Sequence, residues 1–300
     1  MLVMVTVRVP ATIANLGPAF DTAGVAVTVY NTVHLTLAAS ARVEVQGYGQ
    51  GSMPEDSSNL VYRAAAKVAA RAGRSSAFAL QCHNDIPPGR GLGSSAAAVV
   101  GGAVAANEAL GRPLSQEDLL DLTWRMEGHA DNAAPALLGG VVLADVSDGV
   151  VRWTRIMPTW DVALVVAVPE FSVATDRARA ALPDRVPLAD AVTNISHTAW
   201  LVTAMLTGRA DLLTTAMDDR LHQPYRRSLV PGMEEAFAAA RAAGAYGAAL
   251  CGSGPSVLAV VPPAKAARVG QSMVDAFAGH GHAASYIRVN IDEQGATLVA

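Results

Sequence analysis

Pro87-Pro88-Gly89-Arg90-Gly91-Leu92-Gly93-Ser94-Ser95-Ala96-Ala97-Ala98 reads as a loop that turns directly into a helix. Three glycines alternate with other residues, and two serines lead into an alanine-rich run. Without Cβ atoms, glycines let the backbone turn sharply and present its N–H groups at close range. A helix opening at the serines adds unpaired N–H donors and the positive end of its dipole. Together they form an anion cradle of the kind that takes nucleotide phosphates. The run departs from both common glycine fingerprints. The only lysines are Lys67 and Lys265, so no lysine follows a glycine, and Ser94 stands where the dinucleotide pattern has its third glycine. The competing reading is a plain glycine turn with a serine N-cap. That reading accounts for one or two glycines, but leaves the rest of the run without a reason.

Composition bounds the remainder. The 300 residues, 51% of them hydrophobic, suffice for one large domain or two medium ones. A net charge of −4 with no basic block argues against nucleic acid or an anionic membrane as partner. Two cysteines, Cys82 and Cys251, are too few for a disulfide scaffold, and their apolar surroundings suggest buried thiols. The stretch Met1 to Arg8 alternates like a strand and has no leader character. No run of about eighteen apolar residues is present. These features fit a soluble cytoplasmic protein.

Strand patterns cover Val3–Val9, Val25–Leu37, Ala41–Val45 and Phe78–Cys82, the last feeding the glycine loop. Helical spacing predicts Asn59–Ala72, stopped by Gly73, and Ser95–Leu110, stopped by Gly111. It also predicts a helix capped by Ser115, with Asp118 at N3, running to Glu127. The small residues of Ser95–Leu110 imply close packing on several faces. Further strands are expected over Gly139–Val146 and Val162–Val168, then helices over Leu188–Leu206, Ala210–Met217 and Met233–Ala243. A closing β-α-β run spans Val257–Val261, Ala264–Ala278 and Ala284–Asn290. The order is mixed, which favours an α+β fold with antiparallel sheets over a doubly wound one. The expected domains are residues 1–160, holding the nucleotide, and 161–300.

Three separated segments carry a resemblance. Val9-Pro10-Ala11-Thr12-Ile13-Ala14-Asn15-Leu16-Gly17-Pro18-Ala19-Phe20-Asp21, the glycine loop, and Leu250-Cys251-Gly252-Ser253-Gly254-Pro255-Ser256 occur in the order and spacing of the GHMP kinases. These are the small-molecule kinases named after galactokinase, homoserine kinase, mevalonate kinase and phosphomevalonate kinase. The first segment, with Asp131-Asn132-Ala133-Ala134-Pro135 further on, resembles the homoserine kinase branch. The resemblance implies a two-domain α+β fold, with a ribosomal-protein-S5-like N-terminal half and a ferredoxin-like C-terminal half. It implies ATP and Mg²⁺, L-homoserine as acceptor, and a homodimer.

Phosphoryl transfer asks the protein mainly to position two reactants and to stabilise charge. By resemblance, Pro88, Gly89, Arg90, Gly91, Leu92, Gly93, Ser94, Ser95 and Ala96 hold the phosphates, and Asn59, Leu60 and Val61 wall the purine. For the last three, a capped helix with two core residues is the competing reading. Glu127 and Ser95 resemble the magnesium ligands; Mg²⁺ takes only one or two protein oxygens. Asp21, beside Asn15, resembles the residue that takes the amino group. Arg179 and Arg226 resemble a carboxylate clamp, for which a guanidinium fork is suited. Asn132 would hold the reacting hydroxyl, with Thr175 nearby. Mevalonate kinases use an aspartate and a lysine as base, and no lysine lies near the first segment here. The proton then passes either to the phosphoryl group itself or to Asp131. Ala19 stands where homoserine kinases commonly have glycine. A positive φ or a narrowed pocket there would point to another small amino or hydroxy acid as acceptor. A catalytically silent nucleotide- or metabolite-binding relative is the third reading.

Overall fold

A computed structural model describes residues 4–299; Val3, the expected start of the first strand, lies outside them. The first sheet contains β1 (Val5–Ala14), β2 (Ala23–Ala38), β3 (Arg42–Gly47), β4 (Ala77–Asn84), β5 (Val141–Ser147), β6 (Val150–Ile156) and β11 (Thr297–Leu298). Its main path runs β11-β1-β2-β4-β3, and the β5-β6 hairpin attaches to β2. Every pairing is antiparallel except β3 with β4. A parallel neighbour requires a crossover, and α1 (Leu60–Arg71) supplies it. Pro10 lacks an N–H, and the register of β1 on β2 slips between Pro10 and Ala11. Past this bulge the strand carries Thr12, whose N–H donates to Leu92 O of the glycine loop (3.1 Å).

Against this sheet lie α2 (Ser94–Ala109), α3 (Gln116–Glu127) and α4 (Ala130–Leu138). The close packing expected of α2 is realised at its glycines. A Cβ on Gly101 would come within 2.9 Å of the Val33 side chain, and one on Gly102 within 2.1 Å of Val61 O. The Ser115–Asp118 capping box opens α3 as expected.

The second sheet, β10-β7-β9-β8, is formed by β7 (Ala163–Pro169), β8 (Gly247–Leu250), β9 (Val257–Val261) and β10 (Ala284–Val289), with every neighbour antiparallel. The predicted β-α-β run is β9, α10 (Ala266–Gly279) and β10, and β7 lies between its two strands. Alternation along β7 explains how the two sheets meet. Ala163, Val165 and Ala167 pack under α9 (Met233–Ala243) and α10 with Phe237 and Phe277. Leu164 and Val166 face the other way, into the core of the first sheet. That core also takes Leu201 and Met205 of α6 (Leu188–Thr207) and Leu213 of α7 (Leu213–Ala216). Two short helices, α5 (Thr175–Ala180) and α8 (Gln223–Arg226), carry Arg179 and Arg226. The chain leaves the first sheet at Ile156, enters the second at Ala163, and returns to the first through β11. The α+β architecture is as expected. No helix of the described residues is long and apolar enough to cross a membrane.

Candidate active site

The glycine loop occupies the floor of a cavity of about 390 Å³ between the two sheets. Gly89, Gly91 and Gly93 all adopt positive φ (67°, 74° and 66°). Two of them also permit close approaches: a Cβ on Gly91 would lie 2.0 Å from Cys251 O, and one on Gly93 1.9 Å from Thr12 Oγ1. The loop is therefore wedged between β1 and the Gly252-Ser253-Gly254 turn. Gly93, not a serine, is the N-cap residue of α2, which removes the plain serine-cap reading. Ala97 is the first residue of α2 whose N–H finds an acceptor, Gly93 O at 2.9 Å. The amides of Ser94, Ser95 and Ala96 precede it and are left at the positive end of the helix.

Two sequence expectations change here. Arg90 lies outside the cavity lining; its guanidinium turns away to donate to Glu170 O and Pro88 O, tying the loop to the end of β7. Ala96 also lies outside the lining, and its methyl is buried in the core, so only its backbone faces an anion.

At one end of the cavity, Asn59 caps α1. Its Oδ1 accepts from Val61 N (2.9 Å) and its Nδ2 donates to Pro54 O (2.7 Å). Leu60, Val61 and Pro88 line the cavity beside it, so the helix cap and the apolar wall are the same structure. Val45, Met53 and Cys82 complete this wall; the sequence assigned none of them to the site. Burial pushes the Cys82 thiol up to about 12, and Cys251 is likewise a buried free thiol.

At the other end, five polar residues from three distant segments converge. Asn15 Oδ1 accepts from Asp21 N (3.0 Å), and its Nδ2 donates to Gly252 O (3.1 Å). Asp21 meets Arg179 in a bidentate pair, 2.7 and 2.9 Å. That hydrogen bonding holds the Arg179 guanidinium above its ordinary pKa. Arg226 is almost fully buried and donates to Gly252 O (2.9 Å) and Ala178 O (3.3 Å). Desolvation, then the nearby Arg179 charge, lowers it to about 10, so it remains a cation at neutral pH. Phe20, which the sequence reading left without a role, lies 5.3 Å from the Arg179 and 5.4 Å from the Arg226 guanidinium carbon. Thr175 lines the cavity at the start of α5.

Between the two ends lie the groups suited to the transferring phosphoryl. Ser95 Oγ donates to Glu127 Oε1 at 2.8 Å. Burial raises the Glu127 carboxyl to about 7 against that hydrogen bond. Asp131, in the first turn of α4, is 2% exposed, and its Oδ1 has no hydrogen-bond partner among the described residues. Burial, then the negative charge of Asp21, raises it to about 7. Thr12 Oγ1 donates to Asn132 Oδ1 (2.8 Å), which fixes that amide and leaves its NH₂ to be offered to a ligand. His129 also lines the cavity and is held below its ordinary pKa by burial first and by Arg179 second. Thr12 belongs to the first of the three segments and His129 lies two residues before Asp131, but only the packing shows what they touch.

Ala19 resolves differently from expectation. The loop's positive φ values belong to Asn15, Leu16, Gly17 and Asp21, and Ala19 is not among them. Its side chain is 2% exposed and lies outside the cavity lining, so it neither strains the loop nor narrows the pocket.

The model of the GHMP kinases N terminal domain matches residues 59–140, and that of the GHMP kinases C terminal matches 201–279. A homoserine kinase of Desulfitobacterium hafniense is 44% identical over 99% of this chain and 100% of its own. One from Moorella thermoacetica is 46% identical over 93% and 94%. The crystal structure of homoserine kinase from Cytophaga hutchinsonii superposes with a TM-score of 0.91 at 30% identity, covering 99% of this chain and 97% of that one. A mevalonate kinase of L. major, at 16% identity and a TM-score of 0.71, shares the fold. With both halves matched and relatives of this identity aligned end to end, the chain belongs to the GHMP kinase family, on the side of it that the homoserine kinases occupy.

Proposed function

We propose that this protein transfers the γ-phosphoryl group of ATP to the side-chain hydroxyl of L-homoserine, giving O-phospho-L-homoserine for threonine synthesis. One observation carries the reading. Asp21, Arg179 and Arg226 converge on the same cavity as the unpaired amides of the glycine loop. An amino acid offers an ammonium and a carboxylate, and Asp21 and Arg179 are their complements. They now satisfy each other, and a bound zwitterion would part them, each charge finding a new partner. Arg226 adds a second cation for the carboxylate. Asn15 fixes the backbone that carries Asp21, and Asn132 and Thr175 are placed to orient the hydroxyl.

The site also fits Mg²⁺. The Ser95–Glu127 pair offers one hydroxyl and one carboxylate oxygen, the small hard donor set this ion takes while keeping its waters and phosphate oxygens. When bound, the ion would neutralise charge on the phosphates. The chain's own contribution is to aim amides 94–96 at those phosphates and to exclude water by burial. The orphaned oxygen of Asp131 supports this residue as the acceptor of the hydroxyl proton.

The expected homodimer has one surface in its favour. Leu188, Val192, Ile195 and Leu206 of α6 are exposed, Leu188 at 80%, along a face without charged residues. Their three-and-four spacing is that of helices which pair. Sedimentation of the wild type and of Ile195→Glu tests this, and a wild-type monomer refutes it. Buried free thiols suit the reducing cytoplasm.

The test of function is ADP release from MgATP against L-homoserine, L-threonine, L-serine and mevalonate. Turnover with L-homoserine at least about a hundredfold above the others is expected, since a site built around hydrogen-bonded groups rejects analogues strongly. Preference for a different acceptor, or nucleotide binding without ADP release, overturns the proposal.

A further inference from the structure

Neither the sequence motifs nor the reaction chemistry assigns a role to His222, although it is the most enclosed imidazole in the molecule. It is 0% exposed and lies behind the acceptor end of the cavity. Its Nε2 is 2.8 Å from Gly17 O, and its Nδ1 is 3.1 Å from an Arg226 terminal nitrogen. A carbonyl only accepts and a guanidinium only donates, so the proton must sit on Nε2 and the Nδ1 lone pair must face Arg226. The ring stacks on Phe20 at 5.1 Å between centroids. Its backbone is equally fixed: Asp219, buried, accepts from His222 N (3.0 Å), Gln223 N (2.7 Å) and Asn194 Nδ2 (2.8 Å). Gly17 belongs to the loop that carries Asn15, Phe20 and Asp21, and Arg226 belongs to α8.

We propose that His222 is the positioning residue of the acceptor site, its Nε2–H holding the Gly17 carbonyl while its Nδ1 holds the Arg226 guanidinium. One ring thereby sets the distance between the group that meets the substrate's ammonium and a group that meets its carboxylate. The Phe20 ring, stacked on the imidazole and beside both guanidinium groups, transmits the same constraint to Arg179. This inference rests on the reading of Arg226 as a carboxylate ligand.

Two isosteres separate the two hydrogen bonds. His222→Gln keeps a donor near the Nε2 position and removes the acceptor facing Arg226; His222→Asn keeps an acceptor near Nδ1 and removes the donor. His222→Gln is expected to raise KM for L-homoserine about tenfold to a hundredfold, the range for a lost bond to a charged group, with KM for ATP within about twofold of wild type. His222→Asn is expected to recover part of that loss. In an Arg226→Lys background His222→Gln should add little, because the two residues act as one unit. Equal rises in both KM values, or losses that simply add, overturn the proposal. Should the variants fail to fold, ¹⁵N NMR of the wild-type imidazole decides it without turnover. A bare Nδ1 and a protonated Nε2 at neutral pH support the assignment, and a proton on Nδ1 refutes it. Because that spectrum needs no acceptor, its failure is distinct from failure of wild-type homoserine turnover.

Discussion

Glu127 and Asp131 flank the junction of α3 and α4, and burial brings both carboxyls to about 7. In the unfolded chain such groups titrate near their ordinary values of about 4. The folded state therefore binds protons more tightly, and its stability falls as pH rises from about 4 to about 7. Each group contributes at most about 1.4 kcal/mol per pH unit within that window. Thermal unfolding of the metal-free protein should show a lower Tm at pH 8 than at pH 5, with a shallower decline in Asp131→Asn; a Tm rising over this range contradicts the assignment. The same proton competes with a cation at Glu127. Apparent Mg²⁺ affinity should weaken towards tenfold per pH unit below about 7 in wild type, and lose this dependence in Glu127→Gln. Catalysis separates Asp131 from its neighbours. Asp131→Asn should lower kcat by about 10²–10⁴-fold with little change in KM, the range of a general base. A loss under about tenfold would leave the proton to the phosphoryl group. Asp131, Asn132 and Glu127 were legible because their motif is contiguous. Thr12 and Phe20 were written in the first of the three segments, but their partners Asn132 and Arg179 lie 120 and 159 positions away and meet them only on folding. His222 had no motif to announce it.

Among the elements, α2 is the most demanding. It is buried on nearly every face, and its glycines set how closely α1 and β2 approach. Gly102→Ala would place a methyl 2.1 Å from Val61 O, and backbone, unlike a side chain, has little room to yield. A loss of about 1–3 kcal/mol is expected, read as a lower Cm in urea, together with a raised KM for ATP because α1 carries the Asn59–Val61 wall. An unchanged Cm would mean that the two helices are less tightly coupled than they stand. Most periodic elements were visible in the sequence to within a residue or two; β1 runs five residues past its expected end at Val9, through Pro10 to Ala14, and the helix expected over Ala210–Met217 is a 3-10 turn followed by the short α7. Those missed have separate physical causes. α4 carries Pro135 within nine residues, so its composition argues against a helix that tertiary packing nevertheless enforces. β6 is exposed along most of its length and shows no alternation. β8 has four residues, all buried, too few to distinguish a period.

For the whole molecule, the two sheets share one core, and the acceptor site lies on their seam. Gly252 O, on the second sheet's turn, accepts both from Asn15 of the first sheet's loop and from Arg226 of α8. Parting the halves would therefore dismantle the clamp before it unfolded either sheet. Apolar Leu164, Val166, Leu258 and Val260 close the seam behind it. A fragment of residues 1–160 exposes that surface, and we expect it to aggregate or remain unfolded where the full chain gives a cooperative transition; a folded, soluble fragment would refute this. The two-part organisation was legible from the change in element order, but the shared core was not, because it needs both faces of β7 to be buried.

β11 carries a consequence for biosynthesis. Leu298 and Thr297 pair with Val7 and Arg8, and Asp292 O accepts from Gly140 N, so residues near the C-terminus edge a sheet begun almost at the N-terminus. On the ribosome, every ligand-binding side chain named above has emerged before that edge is in place. Until β11 emerges, the nascent chain therefore holds the outer edge of β1 open, an unpaired strand exposed for as long as the intervening residues are being read.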